Sequence, residues 1–519
     1  MPNSQNFLII ITDQHRPDHT GFGGNPILQT PHLDTIAARG MRFDRAIVAN
    51  PICMPNRASI ATGRVPSVHG TRYNGIPLDW AANTFMRKLR EQGYHNGWFG
   101  KCHLQNMGHN PEVATRFFGA APQQDASQQP HPIGWDDYED ENRHKRERVE
   151  VPSDFYGLDE VDLVVQHADL AGGHYYQWLV EQGVEPEKLQ GRANALPHDS
   201  LWNQVWRTAV PEDLYPSAYV TQQTVAFLER QRGAARPFLA VCSYPDPHHP
   251  FTPPGRYFDL YDPKDIQLPT TFDDPHTDSM RHYRRMKKYQ GKQAAQMAPW
   301  APTAEQFRQM AACEYGMISM IDDGVGRILA CLEESGHADD TVVLFTSDHG
   351  DMFGDHGIIL KAAMHYEGCI RVPLVISSPG RNPGVCTSLA SSLDLAQTIL
   401  ELAGADEYLG MQGTSLVPLL DDPDARVRDQ VLVEEDEMFD MIGGGRPLRM
   451  RTLVTDEARI SIYRGEGEGE LFDLQRDPDE LHNLWNRREA LSLRAEMTEK
   501  LAHALMEHSD QSPRPDAMA

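Results

Sequence analysis

One stretch of this chain, Asn50-Pro51-Ile52-Cys53-Met54-Pro55-Asn56-Arg57-Ala58-Ser59-Ile60-Ala61-Thr62-Gly63-Arg64, sets a cysteine two places before a proline and four before an arginine. The pattern predicts a short helix opened by Cys53 and closed by a Thr-Gly-Arg turn. A cysteine so placed could be a nucleophile or its precursor. It reads equally well as a buried structural residue on a Pro-initiated helix. The rest of the chain decides between the two.

Further chemistry-bearing clusters fall at or just after predicted strand ends: Asp13-Gln14, Gly100-Lys101-Cys102-His103 and Ser347-Asp348-His349-Gly350. Singly, each has an ordinary reading, as a cap or a turn. Together they would bring two carboxylates, an amide and an imidazole to one sheet edge. That oxygen-and-nitrogen donor set suits Ca²⁺ or Mn²⁺ rather than structural zinc, which favours cysteine and histidine.

The elements that must position these groups alternate along the first three-quarters of the chain. Apolar, β-branched runs predict strands over 7–12, 237–244, 341–347 and 372–377. Amphipathic patterns predict helices over 33–39 and 83–92, a long one within 307–335, and another over 393–402. Short apolar strands between helices imply an α/β fold, a large, mixed but mainly parallel sheet flanked by helices. Such sheets bind ligands beyond the carboxyl ends of their strands. Two stretches break the rhythm. The polar segment 123–152 reads as a surface insertion, and 262–302 carries a basic run (281–288) that reads as a solvated helix face. Beyond 423, alternating segments predict a smaller C-terminal α+β subdomain: an antiparallel sheet, a terminal helix and a disordered tail over 509–519. The expected division is thus a catalytic domain over 1–422 and a subdomain over 423–519.

Bulk properties narrow the function. A formal net charge of −26 over 519 residues argues against a nucleic-acid binder and against a basic membrane-surface protein. An anionic substrate would have to meet positive charge concentrated locally. The start of the chain has no basic segment, and its apolar run is too short for a signal peptide; no stretch is long enough to span a bilayer. Seven cysteines without paired spacing suit a reducing compartment, so the expected location is the cytoplasm.

The ordered motifs resemble those of a type I sulfatase of the alkaline phosphatase superfamily. Besides the clusters above, they include Thr30-Pro31-His32-Leu33-Asp34, Pro247-His248-His249-Pro250, Gly354-Asp355-His356 with Lys361, Arg371-Val372-Pro373-Leu374 and Glu470-Leu471-Phe472-Asp473-Leu474. The resemblance implies an alkaline phosphatase-like fold. It implies that Cys53 is oxidised by a maturation enzyme to formylglycine, whose hydrate is the nucleophile. It implies one divalent metal ion, Ca²⁺ or Mn²⁺, held by Asp13, Gln14, Asp348, His349 and the modified Cys53. This chain has Gln14 and His349 where the family often has Asp and Asn, which lowers the negative charge of the site. By the same resemblance, Arg57 would hold the nucleophile's oxygens, while Lys101 and Lys361 would carry positive charge to the sulfuryl and leaving oxygens. His248, with Lys361, would protonate the leaving group, and His103 would take the proton whose loss releases sulfate. Asn74 resembles a substrate contact of the phosphonate monoester hydrolase branch and reads equally as an Asn-Gly turn. Family habit suggests a homodimer or homotetramer.

The expected activity is hydrolysis of small anionic sulfate monoesters of the aryl sulfate type. The alternatives are a phosphonate monoester or phosphodiester hydrolase, a choline-sulfate-type alkyl sulfatase, and a non-catalytic binding protein that keeps Cys53 as a thiol. Lys101 and His103 favour the sulfatase. His15, His19, His32, His69, His249, His356 and His365 read as structural or outlying groups.

Overall fold

The computed structural model describes residues 5–108, 131, 134–292, 300–438, 440, 443 and 445–515. At its centre, five strands lie side by side and parallel: Thr341–Ser347, Asn6–Thr12, Phe238–Ser243, His95–Gly100 and Glu160–Val165. Leu374–Ser377 continues the sheet antiparallel to Thr341–Ser347, followed outward by Met41–Phe43 and Gly384–Cys386; Gly172–Gly173 closes the opposite edge. The α/β class and the mixed, mainly parallel sheet are therefore as expected.

The strand Asn6–Thr12 is buried along its whole length, as a strand covered on both faces must be. Phe7, Ile9 and Ile11 face one layer with Ala58, Ile60, Phe85, Leu89, Leu395 and Ile399. Leu8 and Ile10 face the other, with Leu33, Ile36, Val220, Phe227, Ile321 and Ile328. The longest helix, Ala304–Glu334, starts at a reciprocal cap in which Thr303 and Gln306 satisfy each other's backbone N–H groups.

Gln430–Asp436, Arg449–Thr455, Ala458–Tyr463 and Gly469–Asp473 form a four-stranded antiparallel meander. Leu432, Leu453, Ile460 and Leu471 pack on Met497 and Leu501 of the helix Leu491–Glu507. The opposite face, with Val431, Val433, Met450 and Phe472, joins the main core. This second contact lets residues at the end of Gln430–Asp436 reach the loops around the sheet edge.

Three local expectations change. The strand expected over 372–377 is divided at Pro373, which has no N–H to give a ladder. Arg371–Val372 pairs with Ala46–Ile47 in a small separate sheet, and only Leu374–Ser377 joins the main one. The basic run forms the helix Arg281–Lys288 with a largely solvated face, but His282 and Tyr283 are buried beneath it. Of the expected surface insertion, 123–130 and 132–133 lie outside the described residues, while Glu139 is fully buried. In the expected tail, 516–519 lie outside the described residues, and Asp510 accepts from Arg64 at 2.8 Å.

Candidate functional site

All five parallel strands deliver residues to one edge. Asp13 and Gln14 follow Thr12, Lys101 and His103 follow Gly100, His167 lies two residues past Val165, His248 and His249 follow Ser243 after a short turn, and Asp348 and His349 follow Ser347. Cys53 opens the helix Cys53–Thr62, every residue of which is buried. The unpaired first-turn N–H groups of that helix put partial positive charge at position 53. Cys53, Asp13, Lys101, Asp348 and His349 are all at most 2% exposed; half-buried Lys361 and exposed Asn74 lie toward solvent.

On one side of Cys53 lies a candidate cation site. Arg57 Nε donates to Asp348 Oδ2 at 2.7 Å, and its Nη2 to Asp13 Oδ2 at 3.4 Å. Its Nη1 is used by the Lys101 carbonyl and Ser243 Oγ at 2.7 and 2.9 Å. The guanidinium thus orients the two carboxylates. His349 Nδ1 donates to the Gly350 carbonyl at 2.8 Å, which turns the Nε2 lone pair toward Cys53 Sγ at 3.3 Å and Asp13 Oδ1 at 3.6 Å. Asp13 Oδ1 is buried with no hydrogen-bond partner. Ligand atoms of Asp13, Cys53, Asp348 and His349 all lie within 4.8 Å of one another. Burial and Lys361 lower the His349 pKa, and Asp348 with Cys53 outweigh them and raise it, so Nε2 faces surroundings that draw a positive charge, which a proton or a cation could supply. An orphaned carboxylate oxygen beside an inward-facing imidazole lone pair fits a divalent cation.

Gln14 stands at the rim of this set. Its Oε1 accepts from Lys361 Nζ at 2.8 Å and from His249 Nδ1 at 3.2 Å, and its backbone N–H donates to Asp348 Oδ1 at 3.2 Å. Both acceptor directions of the amide oxygen are in use, so it would ligate a metal only by giving up one of those bonds. A second compact group, Asp13, Cys53, His167 and His248, offers an alternative. There, however, Lys101 Nζ lies 2.6 Å from His167 Nε2 and Lys361 Nζ 2.8 Å from His248 Nε2. An ammonium can only donate, so both lone pairs are already taken.

The other side of Cys53 is cationic and proton-active. Lys101 also bonds to Asp13 Oδ2. Burial raises the Cys53 pKa, but Lys101, Lys361, His349 and a hydrogen bond with His103 pull it well below the ordinary thiol range. An anion at position 53 is therefore favoured. Burial, helped by Lys101 and Arg57, holds His103 at about 4 despite the pull of Cys53, so its imidazole is neutral and able to accept a proton. His248 Nδ1 donates to the His249 carbonyl. Burial, His167 and Lys361 hold the His248 pKa well below ordinary, so the transferable proton of the pair resides on Lys361. Asn74 Oδ1 caps the Met54 N–H at 3.2 Å, which places its amide beside position 53 with its NH₂ end free of that cap.

Two loops are held by groups without a sequence signal. Glu139 accepts from the backbone N–H groups of His103, Leu104 and Gln105 at 2.6, 2.9 and 3.0 Å. It lies in an acidic run, 136–141, in which nothing marks one carboxylate as special. Lys361 sits among three non-glycine residues with left-handed backbone, Leu360 (φ 72°), Ala362 (φ 91°) and Ala363 (φ 56°). Ala363 N–H donates to Glu435 at 2.6 Å, and its carbonyl accepts from His282 Nε2 at 3.0 Å and Tyr283 at 3.2 Å. His167 is the third addition. The rule that ligands gather at strand ends would have found it had 160–165 been read as a strand.

Other expectations follow the ordinary reading. His15, His19, His69, His356 and His365 bond to neighbouring structural groups. Cys102 packs in the core.

Comparison with known proteins gives a consistent result. The Sulfatase family profile matches residues 5–405, and the profile of the N-sulphoglucosamine sulphohydrolase C-terminal region matches 354–507. An arylsulfatase of Clostridium perfringens is 28% identical over 495 residues, covering 93% of this chain and 91% of that protein. The multifunctional alkaline phosphatase superfamily protein PehA of Trinickia caryophylli is 26% identical, covering 98% of this chain and 96% of its own length. Among solved structures, a phosphonate monoester hydrolase of Silicibacter pomeroyi superposes with a TM-score of 0.79 at 24% identity, covering 98% and 96% of the two chains.

Proposed function

The chain belongs to the sulfatase family and hydrolyses sulfate esters, and we propose that its substrates are small sulfate monoesters of the aryl type, cleaved by a formylglycine derived from Cys53. The observation that carries this reading is the placement of Cys53 between a buried cation site and a cluster of Lys101, His103 and the Lys361–His248 pair. Its Sγ marks the position of the reacting oxygen. Matured by a formylglycine-generating enzyme, residue 53 would supply a geminal diol, one hydroxyl to attack sulfur and the other to expel sulfate. A Ca²⁺ or Mn²⁺ ion held by Asp13, Asp348, His349 and residue 53 would supply the charge that lowers the pKa of that hydroxyl.

The chain's own groups do the rest. Arg57 fixes the two carboxylates. Lys101 places positive charge against the sulfuryl oxygens. Lys361, anchored on Gln14 and His248, gives its proton to the leaving oxygen. Neutral His103 takes the proton of the remaining hydroxyl. Asn74 offers its NH₂ to a substrate oxygen at the mouth. All seven cysteines are unpaired, which supports a reducing location, and we place the working enzyme in the cytoplasm.

Two measurements test the proposal. Mass spectrometry of the Cys53 peptide, from protein made together with the maturation enzyme, should show the aldehyde; thiol alone refutes the nucleophile. A kcat/KM panel over aryl sulfates, choline sulfate, phosphate mono- and diesters and phosphonate monoesters ranks transition-state stabilisation directly. Aryl sulfate should lead, and a phosphonate or choline sulfate optimum would replace the substrate assignment.

A further inference from the structure

His167 has no part in the scheme above, yet it lies at its centre. Its Nε2 is 2.6 Å from Lys101 Nζ, and its ring stacks on His248 with centroids 3.6 Å apart and planes within 13°. Its ligand atom is within 4.8 Å of Asp13, Cys53 and His248. The turn that presents it is strained on both sides: Gln166 has φ 63° and Ala168 φ 50°. Left-handed non-glycine residues persist only where their surroundings hold them. Here Gln166 Nε2 donates to Glu141 Oε2 at 3.1 Å, Leu170 N–H bonds back to the His167 carbonyl at 3.1 Å, and Ala168 is fully buried.

Since Lys101 can only donate, Nε2 of His167 is an acceptor. Lys101 then has two fixed acceptors, Asp13 Oδ2 and His167 Nε2, and its third N–H direction is left for the substrate. A four-carbon lysine stem has no preferred geometry of its own, so two anchors are what turn a diffuse charge into an aimed one.

We propose that His167 is a positioning residue that aims the Lys101 ammonium at the oxygens of the bound ester, while its ring backs His248. This rests on the sulfate-ester reading of the site. The two functions of the ring can be separated by substitution. His167→Phe keeps the stacked ring and loses the acceptor. His167→Gln loses the ring and puts an amide oxygen near the position of Nε2.

The test uses matured holoenzyme, steady-state kinetics on an aryl sulfate, and the dissociation constant of inorganic sulfate by calorimetry. His167→Phe should weaken sulfate binding and lower kcat/KM about ten- to a hundredfold, the range for losing a hydrogen bond to a charged group. His167→Gln should recover most of the sulfate affinity. In a Lys101→Met background, His167→Phe should change the sulfate dissociation constant by less than about twofold, because its effect runs through Lys101. An undiminished loss in that background overturns the proposal, as does a Gln variant that stays folded and binds sulfate no better than the Phe variant. Failure of the underlying reading looks different: the unsubstituted enzyme would then neither cleave aryl sulfate nor bind sulfate.

Discussion

Glu139→Gln should separate the stability of the fold from the geometry of the site. Burial raises the Glu139 pKa to about 7, against the pull of the Gln105, His103 and Leu104 N–H groups. Holding the carboxyl that far above its ordinary value means that carrying the charge into the fold costs on the order of 3 kcal/mol even with three N–H donors attached. The native state binds the proton more tightly than the unfolded chain. This contribution to stability is therefore fully present below about pH 4.5, lost as pH rises to about 7, and flat beyond. Glutamine resembles the protonated acid, so the variant should be at least as stable as the native protein at pH 8 and should lack that slope between about pH 4.5 and 7. Its activity should still fall. One end of the amide carries hydrogens, so either the His103 N–H or the Leu104 and Gln105 pair faces a donor. Losing one charge-assisted bond is worth about 1.5–3 kcal/mol, or about ten- to a hundredfold in kcat/KM if it displaces His103. Thermal unfolding against pH and kcat/KM on an aryl sulfate at pH 8 supply both numbers. Full activity per folded molecule in the Gln variant would refute the idea that Glu139 sets the catalytic loop.

Cys53→Ala should abolish turnover while leaving the helix intact, since residue 53 contributes only its first buried side chain; retained turnover of aryl sulfate would remove it from the chemistry. His103→Ala should pass one sulfate onto the protein and release it slowly, so intact mass after brief exposure to substrate should show retained sulfate. Lys361→Ala should lose more on sulfates of poorly acidic alcohols than on those of acidic phenols, and a constant loss across leaving groups would mean that Lys361 only binds. Ala362→Gly should stabilise the fold by about 0.5–1 kcal/mol, because glycine bears the left-handed backbone (φ 91° at this position) without a Cβ clash; a drop in the denaturant midpoint would show that the loop is not strained there. Removing divalent cations with a chelator should abolish activity and lower the unfolding temperature, since Asp13 Oδ1 is left with no partner.

What could be read in the sequence follows physical locality. Asp13 and Asp348 each sit directly after an apolar run whose length and β-branching announce a buried strand, so their convergence follows from the parallel sheet alone, whereas Lys101 follows only a short aromatic run, Trp98-Phe99. Cys53 and Arg57 are legible because one helix carries both. Glu139, His167 and Glu435 act through contacts between segments far apart in the chain. No local pattern distinguishes Glu139 from its four acidic neighbours in 136–141. The strand leading to His167 begins Glu160-Val161-Asp162, which hides its apolar half. Pro373 was the opposite case, a visible residue whose known effect on a ladder divides one apolar run between two sheets. The bonds of Arg57 to Asp348 and Asp13 were not legible, because they depend on distances that spacing within one helix does not set.

The placement of Gln14 bears on how the acid works. In the proposed mechanism Lys361 holds a proton until the leaving oxygen takes it. A carboxylate at position 14 would pair with the ammonium, raise its pKa and make it a weaker acid. The amide oxygen of Gln14 fixes Lys361 at 2.8 Å with no net charge, and neutral His248 fixes it from the other side at the same distance. Lys361 is thus held by two neutral acceptors, whereas Lys101, which needs only to keep its charge, is held against the Asp13 carboxylate. On this account Gln14→Glu should preserve the fold and depress kcat most on substrates whose leaving oxygen needs the proton. In Lys361→Ala, the same Gln14→Glu change should lose that leaving-group dependence, because the proton it would have retained is no longer there.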